Sequence, residues 1–338
     1  MKNHSHDEHN LTPEPGGDGI DRRGFLECMA WAGTGVLWMM SGGIMKSYGM
    51  SQMLDRAGNL KKGLVMPKSD FSFVQISDSH IGFTKPANPD VVGTLNATID
   101  KINAMPSAPK FVLHTGDLTH LAQADEFDTL EQSLKAVKTD KIFYVPGEHD
   151  VTDNGKLYLE RYGKGTLGDG WQSFDYNGVH FIGLVNVTNH VDGGLGYIGA
   201  TQLKWLEADL KPLSSSTPIV VFAHIPLWAV YPKWGWGTDD SAQALALLKR
   251  FGSVSVLNGH IHQTIQKIEG NITFHTANST AFPQPAPGAA PSPGPMKVPT
   301  EKLRTMLGLT SVAYVEHNHS LAITDTPLIA AGETADQK

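Results

Sequence analysis

Asp78-Ser79-His80, Gly116-Asp117, Gly147-Glu148-His149-Asp150, Ala223-His224 and Gly259-His260-Ile261-His262 gather the side chains of this sequence best suited to chemistry. Each motif follows an apolar, β-branched run, so each is expected where a strand runs out into a loop. Five strand ends that deliver only imidazole and carboxylate to one place are the layout of a two-metal hydrolytic centre. A carboxylate has two oxygens and can serve two ions, whereas a neutral imidazole serves one. The single cysteine, Cys28, lies close to the N-terminus behind a glutamate, and if that segment is removed the mature chain carries no thiol. Disulfides and thiolate ligands are then excluded, and any metal must be held by His, carboxylate, amide or water.

The elements that must position these residues alternate along the chain. Phe71–Ile76, Phe111–His114 and Ile142–Val145 read as strands, with helical spacing over Pro89–Met105 and Asp125–Val137 between them. Trp171–Tyr176 and Val179–Val185 flank Asn177-Gly178, a strong two-residue hairpin signal. Thr201–Leu210 reads as a helix with Leu203, Leu206 and Leu210 on one face. Ile219–Ala223, Val254–Leu257, Thr264–Ile268 and Ile272–His275 are further strands, and Val312–Val315 with Leu321–Ile323 forms a last hairpin. Strands alternating with helices and joined later by hairpins argue a mixed α/β architecture.

In this order the five motifs resemble the calcineurin-like metallophosphoesterase superfamily, and the resemblance covers roughly Phe71 to Ala277. It implies a four-layer αββα sandwich, two mixed β-sheets flanked by helices, an α/β (α+β) fold. It also implies hydrolysis of a phosphodiester or phosphomonoester by attack of a metal-bridging hydroxide. The cofactors would be two divalent or mixed-valence ions: Mn, Fe or Zn. Asp117 matches the bridging carboxylate; Asp78, His80 and His262 would join it on the first ion, and Glu148, His224 and His260 on the second. His149 would stabilise the transition state or protonate the leaving oxygen, and Asp150 would orient it through its other ring N–H, unless Asp150 is a loop cap. Glu148 departs from the family, which usually has Asn there; Glu can still coordinate, or can turn away. The motif set looks most like the cyclic-nucleotide phosphodiesterase branch. A metal-binding scaffold of the same fold with little catalysis is the alternative, and a protein phosphatase a third reading.

Composition sets the outer bounds. The 338 residues are 40% hydrophobic and 18% charged, with a formal net charge of −7. That length supports one large or two small domains. The negative charge gives no reason to expect a nucleic-acid polymer as partner, so a small phosphate ester is the expected substrate, met by the charge of the metal. Asp21-Arg22-Arg23-Gly24-Phe25-Leu26 matches the twin-arginine export pattern, and an apolar stretch from Phe25 to Met45 follows. The expected organisation is a signal segment over 1–45, a linker over 46–69, the catalytic domain over 70–325 and a polar tail over 326–338. The twin-arginine translocase is then a partner and the periplasm the destination, with a membrane anchor if the signal is uncleaved.

Several residues stay open between chemistry and packing. His120 and His190 are pocket or loop-surface candidates, and His275 belongs to core or rim. His4, His6, His9, His317 and His319 carry no expected catalytic role. Trp228, Tyr231, Trp234 and Trp236 form either a packed loop or an apolar wall for a leaving group. The Pro-rich stretch 281–299 is either a solvated insertion or a lid, with Phe282 at its start.

Overall fold

Successive side chains of the strand Phe71–Ile76 enter two different cores. Phe71 and Phe73 pack with Phe111, Phe181 and Phe222, whereas Val74 and Ile76 pack with Leu95, Ile99, Phe127 and Leu130. This is the period of two of a strand buried on both faces. It puts a second sheet on one side and helices on the other.

The computed structural model of the chain describes residues 36–41, 44–49, 71–139, 141–188, 194–315 and 320–329. Its strands are β1 (Val36–Ser41), β2 (Ile44–Gly49), β3 (Phe71–Ile76), β4 (Val112–His114), β5 (Ile142–Tyr144), β6 (Gln172–Tyr176), β7 (Val179–Gly183), β8 (Ile219–Phe222), β9 (Val254–Asn258), β10 (Gln266–Glu269), β11 (Ile272–Thr276), β12 (Gly308–Val315) and β13 (Ser320–Pro327). Its helices are α1 (Val91–Asn103), α2 (Ala124–Leu134), α3 (Lys156–Tyr162), α4 (Ala200–Leu210), α5 (Ser241–Leu248) and α6 (Thr300–Met306). One sheet runs β2-β1-β13-β12-β3-β4-β5 and the other β10-β11-β9-β8-β7-β6. Within the first, β3, β4 and β5 are parallel and the rest antiparallel. Within the second, β7, β8, β9 and β11 are parallel, with β6 and β10 antiparallel at the edges.

The two sheets face each other across an aromatic core, where Phe143 stacks on Phe174 at 3.7 Å and Phe174 on Phe181 at 4.9 Å. The outer face of the first sheet is covered by α1 and α2, that of the second by α4 and α5. Leu203, Leu206 and Leu210 are the buried face of α4, as their spacing predicts. The four-layer sandwich is therefore the observed architecture. The hairpin turn also forms as expected: Asn177 and Gly178 both take positive φ, 48° and 81°, the turn whose twist matches that of the strands.

The helix ends follow local chemistry. Asp90, at the N-cap of α1, accepts from the Gly93 N–H at 2.8 Å, so the helix starts two residues after the expected Pro89. At the other end of the fold β13 runs to Pro327, past the expected boundary at 325, and Leu328 is buried. Residues 36–41 and 44–49, read from sequence as export segment and linker, here form the antiparallel pair β1–β2, with β1 also paired antiparallel to β13 (Val36 opposite Asp325). Arg22, Arg23, Cys28, His190 and the tail beyond 329 lie outside the described residues. Among the described residues no helix is long and apolar enough to cross a membrane.

Candidate metal centre

All five motifs sit where a strand has just ended. Asp78 and His80 follow β3, Asp117 follows β4 and Glu148 follows β5, at neighbouring parallel strands of one sheet. His224 follows β8, and His260 with His262 follows β9, at neighbouring parallel strands of the other. Parallel neighbours end at one edge, so each sheet delivers its ligands together. Direct bonds tie the two edges: the Asp78 carboxylate accepts from the His260 backbone N–H at 3.0 Å, and Gln75 Nε2 donates to both Thr115 Oγ1 and the Asn258 carbonyl at 3.0 Å.

The backbone here is unusual. Eight described non-glycine residues have positive φ, and five are proposed ligands: Asp78 (55°), His80 (41°), Asp117 (50°), His260 (70°) and His262 (52°). Left-handed backbone at a residue with a Cβ costs roughly 1–3 kcal/mol and persists only where the surroundings enforce it. Each fully buried ring of the inter-sheet core contributes on a similar scale, roughly 1.5–3 kcal/mol. The sandwich can therefore hold the strained loops. The Gly-His-Ile-His segment is accordingly not extended, as alternation would suggest. Its two histidines turn through left-handed positions, which is how residues two apart reach different groups of donors.

Close approach demands glycine at two points. A Cβ on Gly116, itself at φ 95°, would lie 2.5 Å from His224 Nδ1 and 2.7 Å from the Gly147 nitrogen. One on Gly147 would lie 2.0 Å from Asp117 Oδ1. The space Gly116 provides is thus for a neighbouring ligand and backbone.

Asp78, His80, Asp117 and His262 bring four donor atoms to within 4.8 Å of one another, and Glu148, His224 and His260 bring three. Asp117 joins the groups: its Oδ2 lies 3.4 Å from His80 Nε2 and 3.4 Å from His224 Nε2, while Oδ1 accepts from the His149 N–H at 3.0 Å. One oxygen is thus presented to both sets. Glu148 does not turn away; its Oε2 is 2.9 Å from His224 Nε2 and its Oε1 2.9 Å from His260 Nδ1. His262 Nε2 lies 3.3 Å from Asp78 Oδ1 and 3.2 Å from His80 Nε2. Two ligands on one ion with bonds of about 2.0–2.2 Å lie roughly 3 Å apart, which is the spacing found here.

The donors have little to work on but one another. Apart from these close approaches, His224 Nε2, Glu148 Oε2 and both ring nitrogens of His260 are buried and make no well-formed hydrogen bond among the described residues. Such orphans cost 1–3 kcal/mol or more each unless something binds them. The opposite nitrogen of His224 is spoken for, since Nδ1 donates to the Thr115 carbonyl at 2.7 Å and so fixes the tautomer that offers Nε2. Burial pushes the Glu148 carboxyl up, but His260 and His224 outweigh it and hold it well below the usual range. Burial, with the neighbouring His149, keeps His80 well below its ordinary pKa and therefore neutral, the form that binds metal. The residues present fit two ions.

His149 lies beside the centre and keeps Nε2 free, because Nδ1 donates to the His120 carbonyl at 2.7 Å. Burial draws its pKa down, yet Asp117, Glu148 and that carbonyl prevail and raise it. Bound cations would act on the ring in the opposite sense. The expected Asp150 partnership is corrected here. Asp150 accepts from the N–H groups of Leu118 (3.0 Å), Thr119 (2.8 Å) and Gly147 (2.9 Å) and from Thr119 Oγ1 (2.8 Å), so it braces the loop after β4 against the loop after β5. Glu148–Asp150 is a turn of 3-10 helix, whose successive side chains point about a third of a turn apart, so neighbours in sequence face different partners.

Other candidates resolve. His120 is part of the site: its ring stacks on His149 at 4.8 Å and 18°, and burial pushes its pKa down to about 4. Trp228, Trp234 and Trp236 are buried, so that cluster is a packed loop. His275 is core, accepting from Gln266 Nε2 and donating to Asp325. Buried His114, whose Nε2 meets Ser79 Oγ at 2.8 Å beneath the first loop, carries no motif that marks it in the sequence. The Pro-rich stretch packs back onto the centre, with Gln284 Nε2 donating to the His260 carbonyl at 3.0 Å and Gln263 Nε2 to the Pro285 carbonyl at 2.7 Å.

Fold and site together define a metallophosphoesterase. The sequence model of the calcineurin-like phosphoesterase family matches residues 71–264, more than half the chain, and the chain belongs to that family. It is thus a hydrolase of phosphate esters with donors for two ions. It is 25% identical over 221 residues to a 3',5'-cyclic-nucleotide phosphodiesterase of Nostoc sp., covering 64% of this chain and 80% of that protein. It is 27% identical over 224 residues to a serine/threonine-protein phosphatase of Mus musculus, covering 58% and 70%. The fold is that of a dimetal phosphatase from Danio rerio, with a TM-score of 0.59 at 15% identity over 78% of this chain and 98% of that one.

Proposed function

We propose that this chain is a phosphodiesterase with Asp78, His80, Asp117 and His262 as ligands of one ion and Glu148, His224, His260 and Asp117 as ligands of the other. Charge carries the choice of diester. Three carboxylates and four imidazoles stand in the ligand set; with the imidazoles neutral, as metal binding requires, two divalent ions would leave a single net positive charge. A phosphodiester carries one negative charge, whereas a monoester is largely a dianion at neutral pH, since its second pKa is about 6. Arginine does not make up the difference from Arg161 or Arg250, which are engaged by Asp128 and Glu131 and by the Leu210 and Leu213 carbonyls. The Nostoc relative, named for cleaving a cyclic diester, supports the same reading.

The two ions, when bound, offset phosphate charge and make a water acidic enough to attack. The chain supplies the rest. Asp117 and the loop glycines hold the donor groups at close quarters. His149, with Nδ1 engaged by the His120 carbonyl, would use Nε2 to donate to a phosphoryl oxygen or to the departing alkoxide. His120 fixes the His149 tautomer through its carbonyl and backs its ring. The complete ligand set and the freed Nε2 argue against an inert scaffold. The test is hydrolysis of bis(p-nitrophenyl) phosphate, p-nitrophenyl phosphate and 3',5'-cyclic AMP with added Mn²⁺. The diesters should show the higher kcat/KM; a monoester preferred tenfold would sink the charge argument, and no turnover of any would favour the scaffold. We infer in addition that Arg22-Arg23 directs the chain to the twin-arginine route and the periplasm.

A further inference from the structure

The ligand histidines are not all held in the same way. His224 Nδ1 donates to the Thr115 carbonyl and His262 Nδ1 to the Phe282 carbonyl, at 2.7 and 2.5 Å. His260 sits against Glu148, with Nδ1 2.9 Å from Oε1. His80 has neither a carbonyl nor a carboxylate against its outer nitrogen: Nδ1 is buried and, like Nε2 of His260, finds no hydrogen-bond partner among the described residues. A metal-binding imidazole without such a bond needs another means of fixing its plane. The ring of Phe282 lies against it, with centroids 4.7 Å apart and planes 28° apart. The same ring is 4.8 Å from His262 and 4.3 Å from Phe83, and Phe282 is only 2% exposed.

Phe282 is itself clamped to the first ligand loop. Its N–H and that of Ala281 donate to Ser279 Oγ at 3.2 and 2.8 Å, and Ser279 Oγ donates to the Asp78 carbonyl at 2.8 Å. Asn88 Nδ2 holds the Ala281 carbonyl at 2.6 Å. The carbonyl of Phe282 thus sets His262, its ring sets His80, and its backbone is anchored at Asp78. These are three of the four residues proposed for the first ion, and among the described residues no hydrogen bond or ring contact links Phe282 to Glu148 or His224.

We propose that Phe282 is a positioning residue for the first metal site, orienting His80 by stacking and His262 by its carbonyl. The start of the Pro-rich stretch is then a part of the metal centre. The inference rests on the two-ion reading above, and the test separates the two. Phe282→Leu and Phe282→Met keep the carbonyl and most of the volume but remove the flat ring. Each is titrated with Co²⁺ as the full-length chain, following site occupancy by calorimetry and the cobalt absorption bands; Asp78→Asn identifies which transition belongs to the first site. Melting of the metal-free proteins shows which variant is folded. The expected result is a first-site affinity weaker by roughly 10–100-fold, the usual scale for a group that supports a ligand. Its cobalt bands should be altered, and the second site should stay within about twofold. Parental affinity at the first site overturns the proposal, and so does equal weakening of both sites, which would make the ring merely structural. If the parent chain binds fewer than two ions, the two-ion reading itself fails.

Discussion

Glu148 sits among atoms that would otherwise be starved of partners, and its two oxygens touch one imidazole each. We predict that Glu148→Ala loses the second ion selectively, with affinity down at least about tenfold, since even supporting groups are worth that much. Glu148→Gln should keep the geometry and weaken the same site less. Metal titration of activity reads both, and variants that titrate like the parent would remove Glu148 from the ligand set. His149 should behave oppositely. His149→Ala should retain both ions yet lose roughly 10²–10⁴-fold in kcat, the span of an acid–base contribution, and lose least with a good leaving group. Loss of metal in that variant would show that the ring is a ligand. That these side chains gather at one edge was readable from sequence, because their types and their place after apolar runs mark strand ends facing a common site. The brace at Asp150 was not, because adjacency to His149 says nothing about where a side chain points in a 3-10 turn. Ser279 and Phe282 were equally silent: a serine and a phenylalanine before a proline have no spacing that announces a metal.

At the scale of elements, long periodic segments were legible and short ones were not. α4 and the β6–β7 hairpin match their patterns, since an apolar face and an Asn-Gly turn are strong local signals. α3 and α6, seven residues each, are too short to show a period, and the β1–β2 pair lies in a stretch whose composition reads as export signal. One joint between elements has a pH dependence of its own. His180 on β7 lies 2.8 Å from Asp175 on β6 and 2.9 Å from Asp209 on α4, and Asp209 also accepts from Ser173 Oγ on β6. Burial lowers the pKa of His180, but the bonds to Asp209 and Asp175 outweigh it and raise it above 6.5. The charged ring therefore stabilises the fold fully below about 6.5, and that contribution fades as pH rises through the raised value. His180→Gln should cost about 1 kcal/mol at pH 5.5, kept small by the 74% exposure of the Asp175 side chain, and less at pH 8.5. Urea unfolding at the two pH values measures it, and a gap that widens with pH would refute the assignment.

For the whole molecule, the export proposal makes a plain prediction: Arg22→Lys together with Arg23→Lys should strand the enzyme in the cytoplasm. Cell fractionation reads this, and undiminished periplasmic activity in a strain without the twin-arginine translocase would refute it. The geometry of the centre gives that route a further meaning. Each proposed ion takes ligands from both sheets, from as early as Asp78 to as late as His262, with Phe282 later still. A ribosome must therefore release most of the polypeptide before either ion can find a complete set of donors. Either ion would meet its full donor set only in a folded sandwich, so the compartment in which the chain folds is the first whose pool of free metal can fill it. On the export route proposed above, that first pool would be the cytoplasm's, whatever metals abound outside.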